Sequence, residues 1–136
     1  MQTMKAYTDV PQSKRLAEIL PLESADMYYP WYIEEDGDTI ESGHRITTPD
    51  VGSFTTHKVN KMTLPCWSLS ALLDLMPKIH GERPRLDTGR IQTEKYYVEY
   101  PYHESTKNDW YSTKLCDSAV DACYEMILKL NELNLL

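Results

Sequence analysis

The stretch LPCWSLSALLDLMP, residues 64–77, most constrains the fold, because it is densely apolar yet one-sided and carries a proline near each end. It is too short for a bilayer, which needs roughly 18 or more apolar residues in a row. Pro65 disfavours helical backbone at Leu64, so a helix can begin only beyond it. Ser68 is a good N-cap, because its hydroxyl can accept from an otherwise free backbone N–H. Leu69, Leu72, Leu73 and Met76 then stand at i, i+3, i+4 and i+7, a single apolar stripe with Asp74 pointing away. Pro77 ends the helix. The pattern predicts an amphipathic helix laid on a sheet. Trp67, just before the cap, either staples the entering chain to the core or walls a ligand site.

The rest of the chain supplies the other layers. Asp9 with Gln12 forms a capping box and Pro11 sits in the first turn, starting a short helix with Leu16, Ile19 and Leu20 on one face, ended by Pro21. In residues 25–33 both alternating faces are apolar, and Pro30 marks an edge or bulge. Asp36-Gly37 signals a turn. Residues 39–47 read as a returning strand and 53–59 as a weaker one. After a turn at Thr88-Gly89 comes a long strand, with Tyr96, Val98, Tyr100 and Tyr102 on one face and Thr93, Lys95, Tyr97 and Glu99 on the other. TKND turns the chain, and residues 110–115 form the antiparallel partner. Ser118 with Asp121 caps the last helix. Its stripe runs Ala119, Ala122, Cys123, Met126, Ile127, Leu130, Leu133, with Asp121, Glu125 and Lys129 on the solvent side. The expected architecture is α+β: an antiparallel sheet of about four to six strands with three helices packed on it, one domain over residues 1–136.

Composition narrows the function classes. The 136 residues carry 21 acidic against 14 basic side chains, a net charge of −7, which argues against general nucleic-acid binding. The acidity falls short of a DNA mimic. Three cysteines and no CxxC speak against a disulfide framework or a zinc site. The opening residues lack a signal-peptide pattern, and no apolar run is of membrane-spanning length. A reducing, cytoplasmic setting is expected. Ten Tyr and three Trp against one Phe favour residues with an apolar body and a polar tip, used at half-covered sheets and at binding surfaces alike.

Catalytic patterns are missing: there is no P-loop, GxGxxG or HExxH, and His44, His57, His80 and His103 are isolated from one another. No cofactor, metal or catalytic residue is assigned. EEDGDTIE, residues 34–41, departs from the twelve-residue calcium loop and reads as a solvated acidic hairpin. Cys123 lies on a buried stripe. Cys66, before a helix N-terminus, is expected to be the more exposed thiol with a lowered pKa. Arg83, Arg85 and Arg90 fall within eight positions in a Gly- and Pro-punctuated loop that leads into the tyrosine-rich strand. Arginine forks beside Tyr or Trp faces are what a phosphorylated nucleotide requires; a solvated surface loop is the other reading.

Three stretches together, ADMYY at 25–29, PCWSLSALLDLMP at 65–77 and the strand-turn-strand-helix ending in DSAVDACYEMILKLNEL, resemble short, mostly uncharacterised accessory proteins of phages and prophages of gut bacteria. Those proteins carry a P-[AC]-W-S-L-S-A-L-L-x-L-[ML]-P segment before a C-terminal β-β-α unit. The C-terminal part is also loosely similar to the phage ABA sandwich domain. The resemblance implies a phage-borne protein acting in the host bacterial cytoplasm and carries over no site residues.

Two functions follow as expectations. The first is a non-catalytic counter-defence protein that binds and sequesters a small nucleotide-derived immune signal, through Arg83, Arg85 and Arg90 with Trp31, Trp67, Tyr96 and Tyr100. The second is a protein–protein inhibitor or adaptor that engages a host protein through a Tyr-rich face, suited by its acidity to a basic partner. Homo-oligomerisation through that face is a third reading of the same residues.

Overall fold

Helix caps and strand pairing organise the chain locally, and both are visible in a computed structural model that describes residues 5–29, 49–52, 64–79, 81–100 and 111–136. The fold class is α+β. Among the described residues there are three α-helices and six short strands, which divide into two antiparallel three-stranded sheets. The chain forms two compact units, Tyr7–Ala71 and Leu72–Leu136 with Met1–Ala6. The predicted strands at 39–47 and 53–59, the Asp36-Gly37 turn, the acidic stretch 34–41 and the TKND turn lie outside the described residues.

In the unit Tyr7–Ala71, helix α1 (Val10–Ala17) starts at the anticipated capping box. The Asp9 carboxylate accepts from the Gln12 N–H at 2.9 Å, and the Gln12 side-chain oxygen accepts from the Asp9 N–H at 3.1 Å. Each bond satisfies a backbone donor that the first turn would otherwise leave free. Strand β1 (Met27–Tyr29) lies between β2 (Asp50–Val51) and β3 (Leu64–Cys66), with Met27 opposite both Val51 and Cys66. Pro65 occupies β3, which among the described residues is an edge, where a missing N–H is tolerated. α1 packs against β3. Val10, Tyr29, Leu64 and Cys66 form the core there, with Tyr7 and Met27 against it.

Ser68 caps α2 (Leu69–Leu75) through its hydroxyl, which accepts from the Ala71 N–H at 3.1 Å. Asp26 anchors that cap, accepting from the Ser68 N–H at 2.9 Å and from its hydroxyl at 2.5 Å. Of the predicted stripe, Leu72 and Met76 are buried, while Leu69 and Leu73 are half-buried.

In the other unit β5 (Tyr96–Tyr100) lies between β4 (Arg85–Thr88) and β6 (Tyr111–Ser112). The bridge between Tyr96 and Cys116 lengthens the β5–β6 ladder, with N–H to carbonyl distances of 2.8 and 2.7 Å. Helix α3 (Ala119–Glu132) is capped by Ser118, whose hydroxyl accepts from the Asp121 N–H at 3.0 Å. α3 packs on β5 with Ala119, Val120, Ala122, Cys123, Met126, Ile127 and Leu130 buried. Leu133, expected to close the stripe, is exposed beyond the last turn. The expected solvent-side residues are half-covered by partners: Asp121 pairs with Lys5 at 2.7 Å, and Glu125 with Lys114 at 3.5 Å. Among the described residues no helix is long and apolar enough to cross a membrane.

Candidate functional site

The β4–β5–β6 sheet has one face covered by α3 and one more open face, and the pleat decides which side chains go where. Register pairs Arg85 with Glu99, Asp87 with Tyr97, and Glu99 with Ser112. Directly opposed residues share a face. Arg85, Asp87, Tyr97, Glu99 and Ser112 therefore line one side, and Leu86, Thr88, Tyr96, Val98 and Tyr100 the other. Val98 and Tyr100 are buried, and they mark the side that α3 covers. In the first set Arg85 and Asp87 are exposed and Tyr97, Glu99 and Ser112 half-buried, which makes it the more open face.

Tyr97 is its centre. Partial burial pushes its phenol pKa up, and the Glu99 and Asp87 carboxylates push the same way, while the Arg90 guanidinium pulls it down. Two carboxylates and an arginine thus act on one outward phenol. Beside this face the β4–β5 connection makes a braced tip. The Gly89 N–H donates to the Lys95 carbonyl and the Lys95 N–H to the Gln92 carbonyl, both at 3.0 Å. Gly89 is required by packing: a Cβ there would lie 2.8 Å from the Gln92 carbonyl oxygen and 3.2 Å from a Leu115 methyl. The Lys95 ammonium pairs with Asp117 at the base. At the apex Ile91 is 96% exposed, with Arg90 exposed beside it.

The residues singled out from the sequence are dispersed by this geometry. Arg85 is exposed on the open face, and it belongs to strand β4 rather than to the expected loop. Tyr96 and Tyr100 occupy the opposite face, so the pleat separates them from Arg85. Tyr100 is 1% exposed; its hydroxyl donates to the Pro77 carbonyl at 2.7 Å, and burial pushes its pKa up to about 12, with Arg83 opposing. Arg83 is exposed and donates to the Leu73 carbonyl at 3.3 Å. Trp67 is fully buried, and its indole N–H donates to the Ser24 hydroxyl at 2.9 Å, which is the staple reading of that residue. Trp31 lies outside the described residues. Tyr97, Asp87, Glu99 and Ile91 were not singled out. The alternation in YYVEY held the signal for Tyr97 and Glu99, but choosing the outward face required knowing where α3 lies.

A second concentration of polar groups is buried. The Thr8 and Ser13 hydroxyls lie 2.7 Å apart, the Tyr29 hydroxyl donates to the Thr8 carbonyl at 2.7 Å, and the Cys66 thiol approaches the same carbonyl at 3.4 Å. The Trp67 N–H donates to the Thr8 hydroxyl at 3.2 Å. Among the described residues no buried side-chain nitrogen or oxygen lacks a partner, so this network is internally satisfied scaffold. It corrects the expectation for Cys66. That thiol is on β3, fully buried, and burial raises its pKa instead of the helix terminus lowering it. Cys123 is buried as the stripe required, its pKa pushed up to about 12 by burial with a smaller contribution from Cys116. Among the described residues no group of three His, Cys, Asp or Glu side chains could hold a metal; the four histidines lie outside them.

No protein-family model, curated protein or solved structure matches this chain.

Proposed function

We propose that this chain is a non-catalytic binding protein that engages a protein partner through the open face of the β4–β5–β6 sheet and the tip beside it. The observation that carries this reading is the placement of Tyr97 outward among Asp87, Glu99 and Arg90, next to a braced turn that projects Ile91 into solvent. A rigid aromatic with flanking charges of both signs suits a polar, specific interface, and a pre-ordered turn lowers the entropy lost on docking. An exposed isoleucine on such a turn is a ready anchor for a partner's apolar pocket. The resemblance to phage accessory proteins supports a host protein as partner and a counter-defence role. The test is a photo-crosslinker placed singly at exposed Gln92 on the tip, or at exposed Glu18 after α1 as a control, in bacterial lysate, followed by titration of the identified partner in purified form. A partner captured from position 92 but not from position 18, and affinity at least tenfold weaker for Tyr97→Ala with unchanged thermal stability, are expected. Capture from position 18 alone, or affinity unaffected by Tyr97→Ala, overturns the reading.

Sequestration of a phosphorylated nucleotide is the second reading, supported by one specific relationship: Arg90 acts on Tyr97, which pairs a phosphate-binding group with an outward ring on which a base can stack. A thermal-shift screen against common nucleotides, cyclic oligonucleotides and ADP-ribose derivatives tests it, because a ligand that binds only the native state raises the midpoint. A shift lost in Arg90→Ala supports it. No shift with any of them removes it and leaves the protein-partner reading standing.

A further inference from the structure

Strand β4 has an open edge whose chemistry is self-complementary. Among the described residues β4 pairs with β5 alone, and Arg85, Asp87 and Thr88 are exposed. The ladder fixes which backbone groups face outward. Tyr96 exchanges both its bonds with Cys116, and the Val98 carbonyl accepts from the Thr113 N–H at 2.9 Å, so the even-numbered residues of β5 address β6. Antiparallel ladders alternate, so Tyr97 and Glu99 address β4 through their partners Asp87 and Arg85. Leu86, between those two, directs its N–H and carbonyl away from β5, toward the edge.

The neighbouring outward positions offer no backbone donor. The Thr88 N–H donates to the Asp87 carboxylate at 2.8 Å, and Pro84, two residues before Leu86, has no N–H. The edge therefore presents one unspent backbone N–H, that of Leu86, beside its carbonyl, and Leu86 is flanked by a cation and an anion. We propose that β4 pairs antiparallel with β4 of a second copy of this chain, about a two-fold axis at Leu86. Leu86 then exchanges both backbone bonds with Leu86 of its mate. Arg85 of each copy faces Asp87 of the other, at the non-hydrogen-bonded positions where side chains lie closest. Thr88 would fall opposite Pro84, and neither has an unmet donor there. The result is a continuous six-stranded sheet that doubles the open face. Its two-fold symmetry closes the assembly at two copies, and the blunted positions on either side of Leu86 keep the edge from extending into a fibre. This inference stands on the β4 edge and is independent of the partner reading of Tyr97.

Sedimentation velocity across micromolar to millimolar protein tests it with two single variants. The wild-type chain is expected to dimerise with concentration, and less at high salt. Arg85→Asp sets two carboxylates together at both cross-strand contacts, and Asp87→Arg sets two guanidinium groups together there. Each variant alone is therefore expected to dimerise at least tenfold more weakly. Mixed in equal amounts, the two variants bring opposite charges face to face at both contacts and are expected to form a heterodimer, which also reports that both are folded. A wild-type chain monomeric at every concentration overturns the proposal. So do single variants that dimerise as well as wild type, or a mixture that stays monomeric.

Discussion

The Tyr29 hydroxyl donates to the Thr8 carbonyl at 2.7 Å, across 21 residues of sequence and with both groups buried. This bond ties β1 to the chain entering α1. Replacing Tyr29 by Phe keeps the ring and removes the donor, leaving the carbonyl to the weaker thiol contact from Cys66. A loss of about 1–2 kcal/mol in denaturant unfolding is expected, with an unchanged far-ultraviolet spectrum. A neutral result would show that this carbonyl finds another partner.

Removing a cap tests the most locally coded element. In Ser118→Ala the Asp121 N–H loses its acceptor at the start of α3. The expected cost is about 1 kcal/mol, measured by chemical denaturation, with Ser118→Asp close to wild type because a carboxylate can serve the same N–H.

Gly89 is held by space. Gly89→Ala brings a methyl within 2.8 Å of the Gln92 carbonyl oxygen, which belongs to the backbone of the turn and cannot simply rotate aside. A cost of about 1–3 kcal/mol is expected. Faster amide exchange should be confined to the β4–β5 connection, since that is where the chain must shift.

Alkaline pH should destabilise the protein through its buried thiols and phenols. Cys123 and Tyr100 both have pKa values pushed up to about 12 by burial, against 9.0 and 10.0 for the exposed groups. Between those limits the native state holds protons that the unfolded chain has released, so stability falls as pH rises. The contribution is intact below about pH 9 and drains away toward pH 12. Cys66 and Tyr29, also raised by burial, act in the same direction. Denaturant midpoints measured from about pH 7 to about pH 11 should therefore decline from about pH 9 upward, and less steeply in Cys123→Ala. A flat profile would contradict the burial of these groups.

Much of the helical structure was legible because its determinants are close in sequence. The Asp9–Gln12 box, the Ser68 and Ser118 hydroxyls and the stripe of α3 all act across three or four residues, the span of one helical turn. The β5 alternation was legible for the same reason, since its period is two. Strand β4 was not. RLDT has no apolar alternation and becomes a strand through its pairing with YYVE on β5, a tertiary effect that outweighs intrinsic preference. That one missing strand turned Arg85 from a loop residue into a member of a sheet face.

By itself the sequence determined the α+β class, the caps and stripes of its helices and the alternation of its tyrosine-rich strand, because each depends on backbone and side-chain bonds between near neighbours. Only the tertiary structure decided which alternate of YYVEY looks outward, that Trp67 spends its indole N–H on Ser24, and that Cys66 is sealed against Thr8. Those outcomes depend on groups 43 and 58 residues apart, or on which face a helix covers. No local pattern encodes them: they are set when the chain folds back and buried polar groups must find partners.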